Sequence, residues 1–100
     1  MDVITKYGTI YDICLEDYCN GAYTLGYIEG LKPNWDDGET YAMFGVDVPV
    51  PEDPVWRFWV EFGKDDGSSQ TLGAELSHEV EEQIKKWIMV AHPEVPIYNN

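Results

Sequence analysis

Basic residues are scarce in this chain: Lys6, Lys32, Arg57, Lys64, Lys85 and Lys86 are scattered among 19 Asp and Glu and form no stripe. Phosphate contacts are made by Lys and Arg, so direct binding to DNA or RNA is not expected. The same argument of sign speaks against an anionic membrane surface. Long apolar runs are also missing. No stretch approaches the ~20 residues of a membrane helix, and Met1 to Ile10, with Asp2 and Lys6, holds no run of signal-peptide length. The chain is therefore expected to stay in the cytoplasm where it is made. Its two cysteines, Cys14 and Cys19, lie five apart, too few and too close for the disulfide framework of a small secreted domain, so reduced thiols are expected. A phosphate-cradling glycine loop, a dinucleotide fingerprint and a nucleophile elbow are all absent, and neither cysteine lies in a motif with a histidine.

What is present argues for one folded unit. One hundred residues cannot be divided into two parts that each bury a full core, so residues 1–100 are expected to form a single domain. Hydrophobic residues make up 44% of the chain and aromatic residues 14%, which excludes a disordered acidic tail. The net charge of −13 exceeds the magnitude of about 2 to 8 that solubility asks of a small domain. A folded chain of this length has a radius of gyration of roughly 13 Å and a diameter of about 34 Å. An equal length of duplex DNA holds about 20 charges. The protein thus carries about two-thirds of the charge of a DNA rod of its own length, enough to compete for a nucleic-acid groove if its carboxylates face one way.

The pattern predicts an α+β fold, a small antiparallel β-sheet packed against a C-terminal amphipathic helix. From Leu76 to Ala91, the residues Val80, Ile84, Trp87, Ile88 and Ala91 form one apolar stripe. Ser77 suits the N-cap, and Glu79, Glu81 and Glu82 complement the positive end of the helix dipole. Glu81 with Lys85 and Glu82 with Lys86 are expected i,i+4 pairs, and His92-Pro93 ends the helix. Val55 to Phe62 reads as a central strand, with Trp56, Phe58, Val60 and Phe62 on the helix side and Val55, Arg57, Trp59 and Glu61 on a mixed, partly solvated side. Tyr41 to Val48 is a second strand and Val3 to Lys6 a short third one. Between them, Thr9 as a cap and Asn20-Gly21 as a stop fit a second short helix over 10–19, followed by a strand over 22–29; continuation of that helix through Gly26 and Gly30 is the alternative. The stretches 32–40, 49–54 and 63–73 are turn-rich connections.

Metal chemistry finds little support. His78-Glu79-Val80-Glu81-Glu82 starts like the zinc-protease helix motif, but Glu82 stands where the second imidazole is needed. Asp36-Asp37-Gly38-Glu39 and Asp65-Asp66-Gly67-Ser68 lack the alternating ligand spacing and closing Glu of a calcium loop, and read as solvated turns. No metal, cofactor or catalytic residue is expected. A small metal-dependent enzyme or regulator built on Asp65, Asp66, His78 and Glu79 is the alternative of another class.

The remaining feature is the distribution of acid. Four patches stand out: Asp36, Asp37 and Glu39; Glu52 and Asp53; Asp65 and Asp66; and Glu75, Glu79, Glu81 and Glu82. Three sit in connections and one at the start of the helix, and they are expected to converge on one end of the domain. Trp35, next to Asp36, and Trp59, on the mixed strand face, are candidate anchors, with carboxylates steering a basic partner toward them. At the level of class, such a small, acidic, aromatic-bearing, motif-poor domain resembles the inhibitors that phages make against host nucleases, including anti-CRISPR proteins and DNA mimics. It also resembles the immunity proteins that bacteria make against nuclease toxins. The resemblance implies a stoichiometric inhibitor acting in the cytoplasm, the host's if phage-encoded, on a basic nucleic-acid-binding protein such as a nuclease or CRISPR effector.

Overall fold

A computed structural model describes residues 1–28, 40–63 and 66–99. The described residues form seven strands and then a helix: β1 (Val3–Thr5), β2 (Gly8–Ile10), β3 (Glu16–Cys19), β4 (Ala22–Tyr27), β5 (Tyr41–Asp47), β6 (Arg57–Gly63), β7 (Ser69–Gly73) and α1 (His78–Ala91). The strands β3-β4-β5-β6-β7 build a five-stranded sheet in sequence order, each antiparallel to the next, and β1 and β2 form a separate two-stranded ribbon. With α1 packed on the sheet this is an α+β arrangement of small antiparallel sheets and one C-terminal helix. No helix among the described residues is long and apolar enough to cross a membrane.

Period-2 alternation divides the large sheet into two faces. Ala42, Phe44 and Val46 of β5 and Phe58 and Val60 of β6 point to the same side, where they meet Leu25, Ile84 and Ile88 in one hydrophobic cluster. Val3, Ile10 and Ile13 join that cluster, so the β1–β2 ribbon lies on the helix side as well. The Tyr7 ring packs edge-on against Phe62, 5.2 Å between centroids. Helix α1 begins at the expected cap: Ser77 Oγ accepts from the Val80 N–H at 3.3 Å, with Glu79 and Glu81 in the first turn. It ends where Pro93 removes a donor, and the His92 N–H closes the last turn on Ile88 O at 2.9 Å. Of its stripe, Ile84 and Ile88 are fully buried and Val80 and Trp87 half-buried, but Ala91 is exposed. Lys85 bonds Glu82 at 3.1 Å and lies over the Trp56 ring, in place of the expected bond to Glu81.

Three expectations are corrected. Residues 10–19 hold no helix. Asn20 (φ 35°) and Gly21 (φ 85°) are both left-handed and join β3 to β4 across the Cys19–Ala22 pair. This is the geometry of a two-residue type I′ hairpin turn, for which Asn-Gly is the preferred pair. Upstream, the positive φ of Asp12 (49°) breaks any helical run, and the Ile13 and Cys14 amides bond to Met1 O and Leu25 O, partners distant in sequence. Second, the strand expected over Val55–Phe62 is an interior strand packed against the helix, as expected, but it begins later: β6 spans Arg57–Gly63, with Val55 and Trp56 outside it. Third, half of the connection 63–73 is the edge strand β7. Its polar composition suits an edge, and of its five residues only Leu72 is even partly buried.

Candidate partner-binding face

On the side of the sheet away from α1, a second set of side chains is brought together by register alone. Tyr41, Met43, Gly45 and Asp47 of β5 stand opposite Gly63, Glu61, Trp59 and Arg57 of β6. On the flanks, Tyr27 pairs with Met43, Thr24 with Gly45 and Thr71 with Glu61. Among the described residues, α1 and the β1–β2 ribbon both pack on the core face, leaving this outer face without a covering element. Even so, Met43 (5% exposed) and Trp59 (8%) are buried without belonging to the main core. On the face, Met43 meets the Thr24 hydroxyl and Trp59 meets Tyr18 and Asp47.

Two glycines explain how. Gly45 lies directly beneath the Trp59 indole, where an added Cβ would overlap the six-membered ring, and Gly63 lies in the same way beneath the Tyr41 ring. Each aromatic side chain thus lies flat over a cross-strand glycine, covering backbone that would otherwise be wet. The flat Trp59 ring delivers its Nε1–H to Asp47 Oδ1 at 2.9 Å, and the Tyr18 ring leans against it at 5.8 Å. Tyr41 donates to Glu61 Oε2 at 3.2 Å and Tyr18 to Glu61 Oε1 at a longer 3.5 Å. A carboxylate is therefore clamped between two phenols, and a second is held by an indole.

The electrostatics keep these donors protonated. Burial, followed by the Glu61 charge, pushes the Tyr18 and Tyr41 hydroxyls above the usual phenol range. Tyr27 is pushed up by burial and then by Glu16. Burial and Glu16 likewise raise the Cys14 thiol, which bonds Leu25 O at 3.7 Å and so is held in its unreactive form. Cys14 and Cys19 are free thiols.

A shallow basin lies over Trp59. It has two adjoining parts, one of about 200 Å³ between Tyr18, Asp47, Trp59, Glu61 and Thr71, the other of about 390 Å³ continuing past Arg57 to Leu72 and Gly73. Another cleft of about 430 Å³ at the end of α1 is lined by Trp56, Met89, His92, Val95, Ile97 and Tyr98, with no Asp or Glu side chain among its described walls.

The acidic patches picked out in the sequence are placed differently. Glu52 and Asp53 lie in the β5–β6 connection, where Asp53 accepts from Arg57 at 3.1 Å. Asp66 lies in the β6–β7 hairpin and caps Ser68 through its backbone N–H and hydroxyl. Strand β6 separates those two connections, and seven residues at about 3.3 Å each put them roughly 20 Å apart, at opposite ends of the sheet. Glu75 turns the chain from β7 toward α1 with φ 55° and forms an ion pair with Lys6, which the bond raises above the ordinary lysine value. Glu79, Glu81 and Glu82 ride on α1, in the layer that covers the core face. The expected convergence on one end is therefore not found for these patches. Trp35, Asp36, Asp37, Glu39 and Asp65 lie outside the described residues.

Of the candidate anchors, Trp59 does stand on the outer face, as its buried floor. Asp47, Glu61, Tyr18 and Tyr41 complete the group and were not singled out from sequence. Their signal was the pair of glycines inside two aromatic-rich strands. For the metal alternative, no three His, Cys, Asp or Glu side chains among the described residues group so as to hold an ion, and the His78 ring lies 4.0 Å from Glu82. No family model, curated protein or solved structure matches the chain, so what it does has to be read from its own geometry.

Proposed function

We propose that this protein is a stoichiometric inhibitor that docks on the basic nucleic-acid-binding surface of a nuclease or CRISPR-type effector and denies nucleic acid access to it. The observation that carries the reading is the outer sheet face, where carboxylates are fixed by aromatic donors on a rigid scaffold of net charge −13. Fixed carboxylates lose little conformational freedom on meeting a cation, and long-range attraction of opposite surfaces raises the association rate. Each desolvated charge-assisted contact contributes about 1.5–3 kcal/mol, and aromatic anchors slow dissociation. The reading assigns no catalytic residue and places the protein in the cytoplasm, with its target.

The test is binding to candidate nucleases and CRISPR effectors across a salt series, with labelled nucleic acid as competitor. A linear fall of log affinity with log salt, together with mutual exclusion of nucleic acid, supports the reading. Affinity that ignores salt, or a ternary complex that keeps its nucleic acid, overturns it.

A further inference from the structure

We infer that the basin over Trp59 receives an arginine side chain of the partner, making the outer sheet face the docking surface; this rests on the proposed acidic-inhibitor reading and names the group it captures. The part of the basin that both Asp47 and Glu61 line is about 200 Å³, room for a single side chain.

Charge complementarity selects the occupant. Arg57 is the cross-strand neighbour of Asp47, yet its guanidinium is turned to Asp53, bonding both carboxylate oxygens at 3.1 and 3.4 Å. Asp47 is therefore left without the cation that its register supplies. It spends Oδ1 on the Trp59 indole, and among the described residues Oδ2 takes no hydrogen bond. Glu61 stands across the same basin, oriented by two phenols that donate hydrogen bonds but carry no positive charge. Both carboxylates are acceptors held in place, and among the described residues neither forms an ion pair with a cation.

The walls distinguish arginine from lysine. Trp59 and Tyr18 both line this part of the basin, in contact with each other at a 43° tilt, so its wall includes aromatic surface. A guanidinium is planar, stacks on aromatic rings and directs a fork of N–H donors, so one group seated in the basin can meet aromatic surface and a fixed carboxylate together. An ammonium is a compact, strongly hydrated point charge that gains less from such a wall.

The experiment titrates the full-length protein at low salt with N-acetyl-arginine amide and, separately, N-acetyl-lysine amide, following every backbone amide and the Trp59 indole N–H by nuclear magnetic resonance. A saturable shift of the Trp59 indole and the Thr71 amide is expected, several-fold tighter for arginine than for lysine. Asp47→Asn, which keeps an acceptor for the indole, should weaken it about tenfold. The control Glu79→Gln/Glu81→Gln on α1 should leave it unchanged. Shifts centred on α1 or on the β5–β6 connection overturn the inference while leaving a basic partner in place. Equal responses to the two amides overturn the arginine assignment. Loss of nuclease binding in the α1 control but not in Asp47→Asn also overturns the docking face without touching the inhibitor reading, whose own failure is read from the salt series and nucleic-acid competition.

Discussion

The two faces of the five-stranded sheet are built from the same residues taken alternately, and they are stabilised in different ways. Toward α1, the even-numbered positions of β5 and β6 are apolar, and Phe44, Val46 and Val60 are fully buried among side chains from the helix and ribbon. Their stability comes from area removed from water and from close packing. On the opposite face the odd-numbered positions are glycines, aromatics and carboxylates together with Met43 and Arg57, and two of the rings lie over cross-strand glycines. The first arrangement is sealed by a second layer. The second holds carboxylates still and leaves them reachable. A strand pair can therefore serve as core on one side and as recognition surface on the other, provided that the exposed side supplies its own hydrogen-bond donors.

That contrast is open to direct attack, first through the core face. Phe44→Ala removes a fully buried ring at the centre of the middle strand and should cost about 3–5 kcal/mol, a large share of the 5–15 kcal/mol of an ordinary domain. Urea unfolding should show the midpoint collapsing or the fold lost; a shift under 1 kcal/mol would mean that the helix layer is not the main source of stability. Gly45→Val attacks the outer face where it is tightest. The added side chain must push the Trp59 ring off the sheet, at a cost of about 1–3 kcal/mol, and Trp fluorescence should shift to the red as that indole enters water. An unchanged emission spectrum would show that the ring does not depend on the glycine. Ser77→Ala, which only loosens the start of α1, should cost about 1 kcal/mol and leave the outer face's Trp59 indole resonance where it was.

How much of this was legible in the sequence follows from the same contrast. Helix α1 and its cap, and strands β5 and β6, could be read because each carries its own period and its own end signals, from Ser77 to His92-Pro93 in the helix. Residues 10–19 could not, because Asn20-Gly21 serves a helix stop and a type I′ turn equally well. The choice is made by long-range bonds such as Cys14 N–H to Leu25 O, which no local pattern contains. The candidate site escaped for a related reason. Acidic residues that are neighbours in sequence draw attention first, but Asp53 and Glu82 are ion-pair partners, Asp66 caps a turn and Glu81 starts the helix. Asp47 and Glu61 stand singly, one per strand, and only the register of β5 against β6 brings them to one basin. Gly45 and Gly63 were the overlooked clue, since a glycine inside a strong strand asks what covers it.

The smallest effect on stability is expected from Glu61→Gln, and it is also the one that isolates the electrostatics of the outer face. Glutamine keeps the shape and one acceptor oxygen, so the neutral-pH stability should change by less than about 1 kcal/mol. Tyr18 and Tyr41 should respond instead. Their hydroxyls are raised first by burial and then by the Glu61 charge, so removing the charge should bring their ionisation partway back toward the ordinary value near 10 while leaving the burial contribution in place. The sign of the linked stability follows. A phenol whose folded pKa lies above its unfolded one stabilises the fold fully below pH ~10 and loses that contribution as the pH rises through the folded value. Wild-type protein should therefore lose stability at alkaline pH as the unfolded chain releases phenolic protons first, and Glu61→Gln should lose less over the same window. Phenolate absorbance followed against pH in both proteins, alongside urea unfolding at neutral and alkaline pH, measures the two halves of this argument. Identical titrations of the two proteins would show that Glu61 is not clamped between Tyr18 and Tyr41, and the outer face would then lack the fixed carboxylate that sets it apart from an ordinary solvated sheet surface.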